Sequence, residues 1–216
     1  MATRGDWPVV LFLLGCAASP PLPQETLPYG FIEDGKDYAW AKGPWPEIKP
    51  SRDVDEVIDQ LCPAIMKLDK ANWKDYGQEY CGAIYSHGDG IYRASYPSPL
   101  GELQLSGESK TKSCYPVRKV LDPSARLTPI LGDYHSHPWF PSPFSRQDKL
   151  SNNQLWSIKI QFDSACHIQK LIPYLNEENR PGELYSRRGK KWVLIGLIKP
   201  ENKSFGIVTP VDEKLD

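Results

Sequence analysis

Two runs rich in tyrosine and isoleucine, EYCGAIYS and IYRASYP, stand on either side of the tetrapeptide HGDG. This strand, turn, strand pattern constrains the fold more than any other stretch, because its glycines suit the reversed turn of a β-hairpin and a hairpin needs further strands to be stable. RLTPILGDYHSHP reads as a buried strand that ends at Pro138, ELYSRRGKKWVLIGLI as a second hairpin around RRGK, and KSFGIVTPV as a last strand. Ser51 is placed to cap a helix through RDVDEVIDQLCPAIMKL, with Val54, Val57, Ile58, Leu61 and Ile65 on one stripe. Pro63 is expected to kink or shorten that helix. PWFPSPF reads as a rigid loop, and SRQDKLSNNQLWSI as a second helix with Ser145 at its cap and Asp148 in its first turn. Residues 31–50, with Trp40 and Trp45 among glycines and prolines, read as an irregular segment held to the surface by its aromatics. The fold class expected is α+β, a mixed and mostly antiparallel sheet flanked by a few helices.

The amino terminus divides from the rest by composition. Arg4 precedes a short apolar run from Val9 to Leu14, which is the pattern of an export signal and too short to span a bilayer. The run closes in LLGC, which resembles the lipobox of bacterial lipoproteins and makes Cys16 the expected site of lipidation; the alternative is a plain secretory signal cleaved nearby, with the protein secreted. The expected organisation is a signal peptide over 1–16, a proline-rich tether over 17–30, and one folded domain over 31–216. With 216 residues, 40% of them hydrophobic, the chain can bury one ordinary core. Lys and Arg total 26 against 27 Asp and Glu, a net charge of -1 that gives no electrostatic case for a nucleic-acid partner. Export makes disulfides the expected state of Cys62, Cys81, Cys114 and Cys166, with all three pairings open and no CxxC spacing among them.

The chemistry concentrates in HSHP. Histidines that alternate with one residue on a strand project to the same face, so His135 and His137 can share one cation. Asp148 follows at the start of the next element, where a turn can bring its carboxylate beside the imidazoles. Two histidines and an aspartate make a three-ligand zinc site with the fourth position open to water, whose pKa zinc lowers from about 15.7 toward about 7. A hydrolase of this kind also needs a proton acceptor from a neighbouring strand, and Glu79, at the start of EYCGAIY, is the candidate; Glu102, Glu108 and Asp133 are the alternatives. Ser145 can donate to a developing oxyanion or simply cap the helix.

HSHP, then six residues, Ser145, two residues and Asp148, with an upstream Glu79, resembles the signature of the JAMM metalloproteases, also called JAB or MPN+. GDYHSHP is similar to that family's GWYHSHP, with Asp133 in place of tryptophan, and the resemblance covers roughly residues 51–160. It implies a cytidine-deaminase-like α/β/α scaffold and one Zn2+ per chain held by His135, His137 and Asp148. It further implies hydrolysis of peptide or isopeptide bonds, with Glu79 as general base and Ser145 as oxyanion partner. An exported protein does not meet ubiquitin, so the expected substrate is a peptide or protein of the envelope or outside the cell, peptidoglycan stems included. The alternative, from a different class, is a lipid-anchored binding or assembly module on the same fold that turns over nothing. A zinc deaminase is disfavoured, since neither HxE nor PCxxC occurs. His87 reads as an exposed turn residue, His167 as a strand or loop residue, and RRGKK as a solvated turn; Trp139, Phe140 and Phe144 either line a groove or staple the loop.

Overall fold

A computed structural model describes residues 28–32, 35–101, 103–104 and 111–211. The export segment, Cys16, nearly all of the tether and the alternative bases Glu102 and Glu108 lie outside the described residues. The chain forms β1 (Gly30–Ile32), β2 (Ala39–Lys42), α1 (Val54–Ile65), β3 (Cys81–Ser86), β4 (Tyr92–Ala94), β5 (Leu103–Gln104), β6 (Thr111–Lys112), β7 (Val117–Leu121) and β8 (Ile130–Ser136). Beyond these come β9 (Ile158–Phe162), β10 (Ile168–Ile172), β11 (Gly182–Arg188), β12 (Lys191–Ile198) and β13 (Thr209–Pro210). The fold is α+β, with one α-helix among the described residues. Both expected hairpins form: β3 and β4 turn through HGDG, where Gly88 and Gly90 adopt positive φ, and β11 and β12 turn at Gly189.

The main sheet has the order β13-β12-β11-β10-β9-β8-β3-β4. Every neighbouring pair in it is antiparallel except β8 and β9. A parallel pair cannot be joined by a tight turn, so the chain must cross back over the sheet between them. Residues 137–157 make that crossover without an α-helix. The expected second helix is absent: Gln147–Lys149 and Ser151–Asn153 are short 3-10 turns, because proline, serine and asparagine leave this stretch no apolar stripe long enough to pack a helix.

Strand alternation sorts the two faces of the sheet. Tyr80, Ile84, Tyr134, Ile160 and Phe162 point to one side, where Val57, Ile58, Leu61, Cys62 and Ile65 of α1 cover them. Gly82 is needed there, since a Cβ would lie 2.1 Å from the ring of Tyr134, its partner across the β3–β8 pair. Helix α1 starts at Asp53 rather than Ser51: Asp53 Oδ1 accepts from Asp55 N at 2.9 Å, while Ser51 Oγ donates to Glu56. Pro63 sits inside the helix, which ends two residues later at Ile65. Arg187 is not part of a solvated turn. Its guanidinium reaches Asp59 at 2.8 and 3.0 Å and Asp55 at 3.0 Å, tying β11 to the helix.

The opposite face is covered differently, by strands instead of further helices. Residues 31–50 are not wholly irregular, because β1, β2 and β7 form a small sheet whose Ala39, Ala41, Val117 and Val120 pack on Ala83 and Tyr85. Two disulfides close the structure, Cys62–Cys166 and Cys81–Cys114, one of the three pairings left open by the sequence. Both accord with an oxidising compartment, and among the described residues no helix is long and apolar enough to cross a membrane. Cys62–Cys166 links positions 104 residues apart, so the Cys62→Ala/Cys166→Ala variant is expected to lose about 2–5 kcal/mol in denaturant unfolding, chiefly by freeing the unfolded chain.

Candidate metal centre

On the face turned away from α1, paired strands set side chains in rows. Cys81 of β3 and Gln161 of β9 flank His135 of β8, while Ala83 and Lys159 flank Asp133. The β3–β8 pairing continues past its last ladder residues, since Tyr80 N donates to Ser136 Oγ and Ser136 N to Tyr80 O, both at 3.0 Å. That register brings Glu79 opposite His137. His135, His137, Glu79, Ser145 and Asp148 all line one cleft of about 650 Å3. Its walls are residues 113–118 on one side and the crossover on the other.

The crossover delivers Asp148 to the histidines. In place of the expected α-helical cap, Ser145 and Asp148 close on each other: Ser145 N donates to Asp148 Oδ2 at 2.8 Å and Asp148 N to Ser145 Oγ at 3.1 Å. The carboxylate thus held offers one oxygen to each imidazole, Oδ1 at 3.4 Å from His135 Nε2 and Oδ2 at 3.8 Å from His137 Nε2. With one ligand atom taken from each residue, the three atoms all lie within 4.8 Å of one another, a grouping that could hold one ion. His135 Nε2 is buried with no hydrogen-bond partner, an arrangement that costs free energy in a polar group unless something else coordinates it. The donor chemistry and the orphaned nitrogen therefore both fit a divalent cation.

Outer contacts orient the histidines. His137 Nδ1 lies 2.9 Å from Ser142 Oγ, and donation to that oxygen leaves Nε2 with its lone pair toward Asp148. Gln161 Nε2 donates to Ser142 O at 2.6 Å and lies 3.2 Å from the same Nδ1, which holds the loop against the ring. Burial, reinforced by the neighbouring His135, pushes His137 down to about 4, so the ring is neutral at pH 7 as a ligand must be. Burial alone would raise Asp148, but His135, Ser145 and His137 outweigh it and hold the carboxyl well below the usual range.

A depressed histidine makes the folded state bind fewer protons than the unfolded state between about pH 6.5 and 4. The contribution from His137 is thus fully present above pH 6.5 and is lost as pH falls through that window. Metal-free protein is expected to melt at progressively lower temperature over this interval, which a thermal unfolding series measures.

Other expected site residues take different places. Asp133 shares the face of His135 but lies one row deeper, paired with Lys159 at 3.0 Å. His87 is not an exposed turn residue; it is half-buried, its Nε2 2.7 Å from Asp122 Oδ2, and Tyr85 donates to the same oxygen at 2.7 Å. His167 is on the surface, stacked on the exposed Phe140 with ring centroids 4.9 Å apart. Trp139 lines the cleft, whereas Phe144 is core, packed with Leu171, Leu184 and Ile198 and 5.8 Å from the His135 ring. Sequence reading missed Ser142, Gln161 and Lys159. Alternation in SIKIQF sets Lys159 and Gln161 on the face opposite Ile158, Ile160 and Phe162, a signal that becomes useful once this stretch is taken as a strand.

Comparison with family models, with curated proteins and with solved structures returned no match.

Proposed function

We propose that this protein is a zinc-dependent hydrolase of the JAMM type that cleaves peptide or isopeptide bonds. The observation that carries the reading is the cluster of the buried His135 and His137 with the half-buried Asp148, with His135 Nε2 lacking a hydrogen-bond partner, in a cleft that Glu79 and Ser145 also line. His135, His137 and Asp148 would hold the ion. Zinc bound there supplies Lewis-acid polarisation and makes hydroxide available near neutral pH.

The remaining work falls to the chain. Glu79, buried beside His137, takes the proton of the attacking water as its oxygen bonds to the carbonyl carbon. Ser145 has its hydroxyl oxygen engaged as an acceptor from Asp148 N, which leaves its O–H to donate to the oxyanion that develops. When the carbon–nitrogen bond breaks, Glu79 returns the proton to the leaving nitrogen. The pinned wall at Cys81–Cys114 and the ring of Trp139 narrow the approach to this point.

The setting proposed is outside the cytoplasm, with the chain anchored by lipid at Cys16 and acting on an envelope or extracellular peptide, peptidoglycan stems among them. The two disulfides support that compartment. The test is a panel of peptides, isopeptide-linked peptides and muropeptides, offered to zinc-loaded and chelated protein. Cleavage that requires zinc is the expected result; a zinc-loaded protein that cleaves none of the three classes would favour a binding module on the same fold.

A further inference from the structure

The cleft has a closed end. Toward the amino-terminal end of β8 its floor passes to Asp133 and Lys159, and from Ala83 onward the face is covered by Ala39, Ala41, Val117 and Val120 of the small sheet. Trp156, just before β9, donates its indole N–H to Val117 O at 3.1 Å and so ties the crossover to the opposite wall. A substrate chain laid along β8 cannot continue past this point.

At the closed end stands an ion pair that stability does not explain. The side chains of Lys159 and Asp133 are 9% and 8% exposed, with Nζ 3.0 Å from Oδ2, and Asp133 Oδ1 is buried with no hydrogen-bond partner. Buried pairs of this kind seldom stabilise a fold relative to apolar residues, and the unsatisfied oxygen adds to their cost. The ammonium of Lys159 carries three N–H groups, and Asp133 is its one ion-pair partner among the described residues. Both side chains line the cleft, as does Arg118, which stands exposed over the ring of Tyr38. Asp37 lines the same wall, but it is exposed and its charge is screened by solvent.

We propose that Lys159, held by Asp133 and assisted by Arg118, binds the free carboxylate of the substrate's terminal residue. The protein then removes residues from a carboxyl terminus and does not cut within a chain. This inference rests on the metallopeptidase reading and specifies its substrate. The spacing agrees: successive rows on one face of a strand are about 6.6 Å apart, and an extended peptide advances about 3.3–3.6 Å per residue. A chain with its scissile carbonyl over His135, one row from Lys159, therefore ends at Lys159 after about two residues. Water adds to the carbonyl carbon, its proton passes to the leaving nitrogen, and the short product departs with the carboxylate that Lys159 had held. Recognition of an amino terminus fits less well, since the unsatisfied oxygen of Asp133 is itself buried.

The test is calorimetric titration with an N-acetylated dipeptide ending in a free carboxylate, with its carboxamide, and with a dipeptide amide bearing a free amino terminus. The acid is expected to bind at least about tenfold more tightly than either amide. That preference is lost in Lys159→Met and in the paired Lys159→Met/Asp133→Leu variant, which leaves no unpaired buried charge, and it weakens in the exposed Arg118→Gln. Because a carboxylate can also ligate zinc, each titration is run on zinc-loaded and on chelated protein, and the preference persists without zinc. Absent binding, equal binding of acid and carboxamide, tighter binding of the amine, or a preference that survives Lys159→Met or vanishes with the metal would overturn the proposal. Intact preference in a protein that neither binds zinc nor hydrolyses would keep Lys159 as a carboxylate site and overturn both the metallopeptidase reading and the removal of residues from a carboxyl terminus.

Discussion

Glu79→Gln is expected to lower turnover by about 10²–10⁴-fold while zinc content and melting temperature stay at the wild-type values. The substitution keeps the shape and volume of the side chain and removes only its ability to take a proton. Glu79 is buried beside the register partner of His135 and lines the same cleft as all three ligands, so it is placed to meet a water there. Single-turnover and steady-state assays beside elemental analysis separate the loss of a base from the loss of the metal. An active Glu79→Gln protein would show that the proton goes elsewhere. Asp133 is a poor substitute, since one of its oxygens is 3.0 Å from the Lys159 ammonium.

The second large effect is expected from Asp148→Ala, which should lose both the metal and all turnover. Asp148 is the one anionic residue of the cluster, and its oxygens stand 3.4 and 3.8 Å from the two imidazoles. It also receives the Ser145 N–H at 2.8 Å, so the truncation loosens the turn that positions Ser145. Asp148→Asn separates these roles. The amide can still accept from Ser145 N but carries no charge, so the turn is expected to persist, with wild-type melting of the metal-free protein, while zinc binding weakens strongly. Equilibrium zinc titration of the two variants distinguishes a lost ligand from a collapsed turn.

Much of the site was legible because its chemistry is compact in sequence. His135 lies in β8 and His137 directly follows its last residue, and Ser145 and Asp148 lie within a single crossover, so local spacing sufficed to place them on one face and one turn. The two hairpins were legible for the same reason, as glycine turns between short runs of tyrosine, isoleucine and valine. What eluded the sequence depends on pairing between distant segments. The β2–β7 contact that covers Tyr85, the alignment of Lys159 with Asp133, and the choice of Cys81–Cys114 over the other pairings are set by tertiary register. The helix expected after Ser145 failed because a good cap and an acidic first turn do not compensate for the missing apolar stripe; here Ser145 Oγ accepts from Asp148 N within a 3-10 turn instead. Arg187 read as solvent-facing because it stands in a basic run, whereas its partners Asp55 and Asp59 lie far away in sequence, on α1.

The measurement that tests the central claim most directly is the zinc content of the purified protein beside its His137→Ala variant. Close to one zinc per chain in wild type, and little in the variant after equal exposure to the metal, is the predicted result. No zinc in either protein, after zinc is supplied in excess and chelator removed, would contradict it and leave HSHP as the end of a strand.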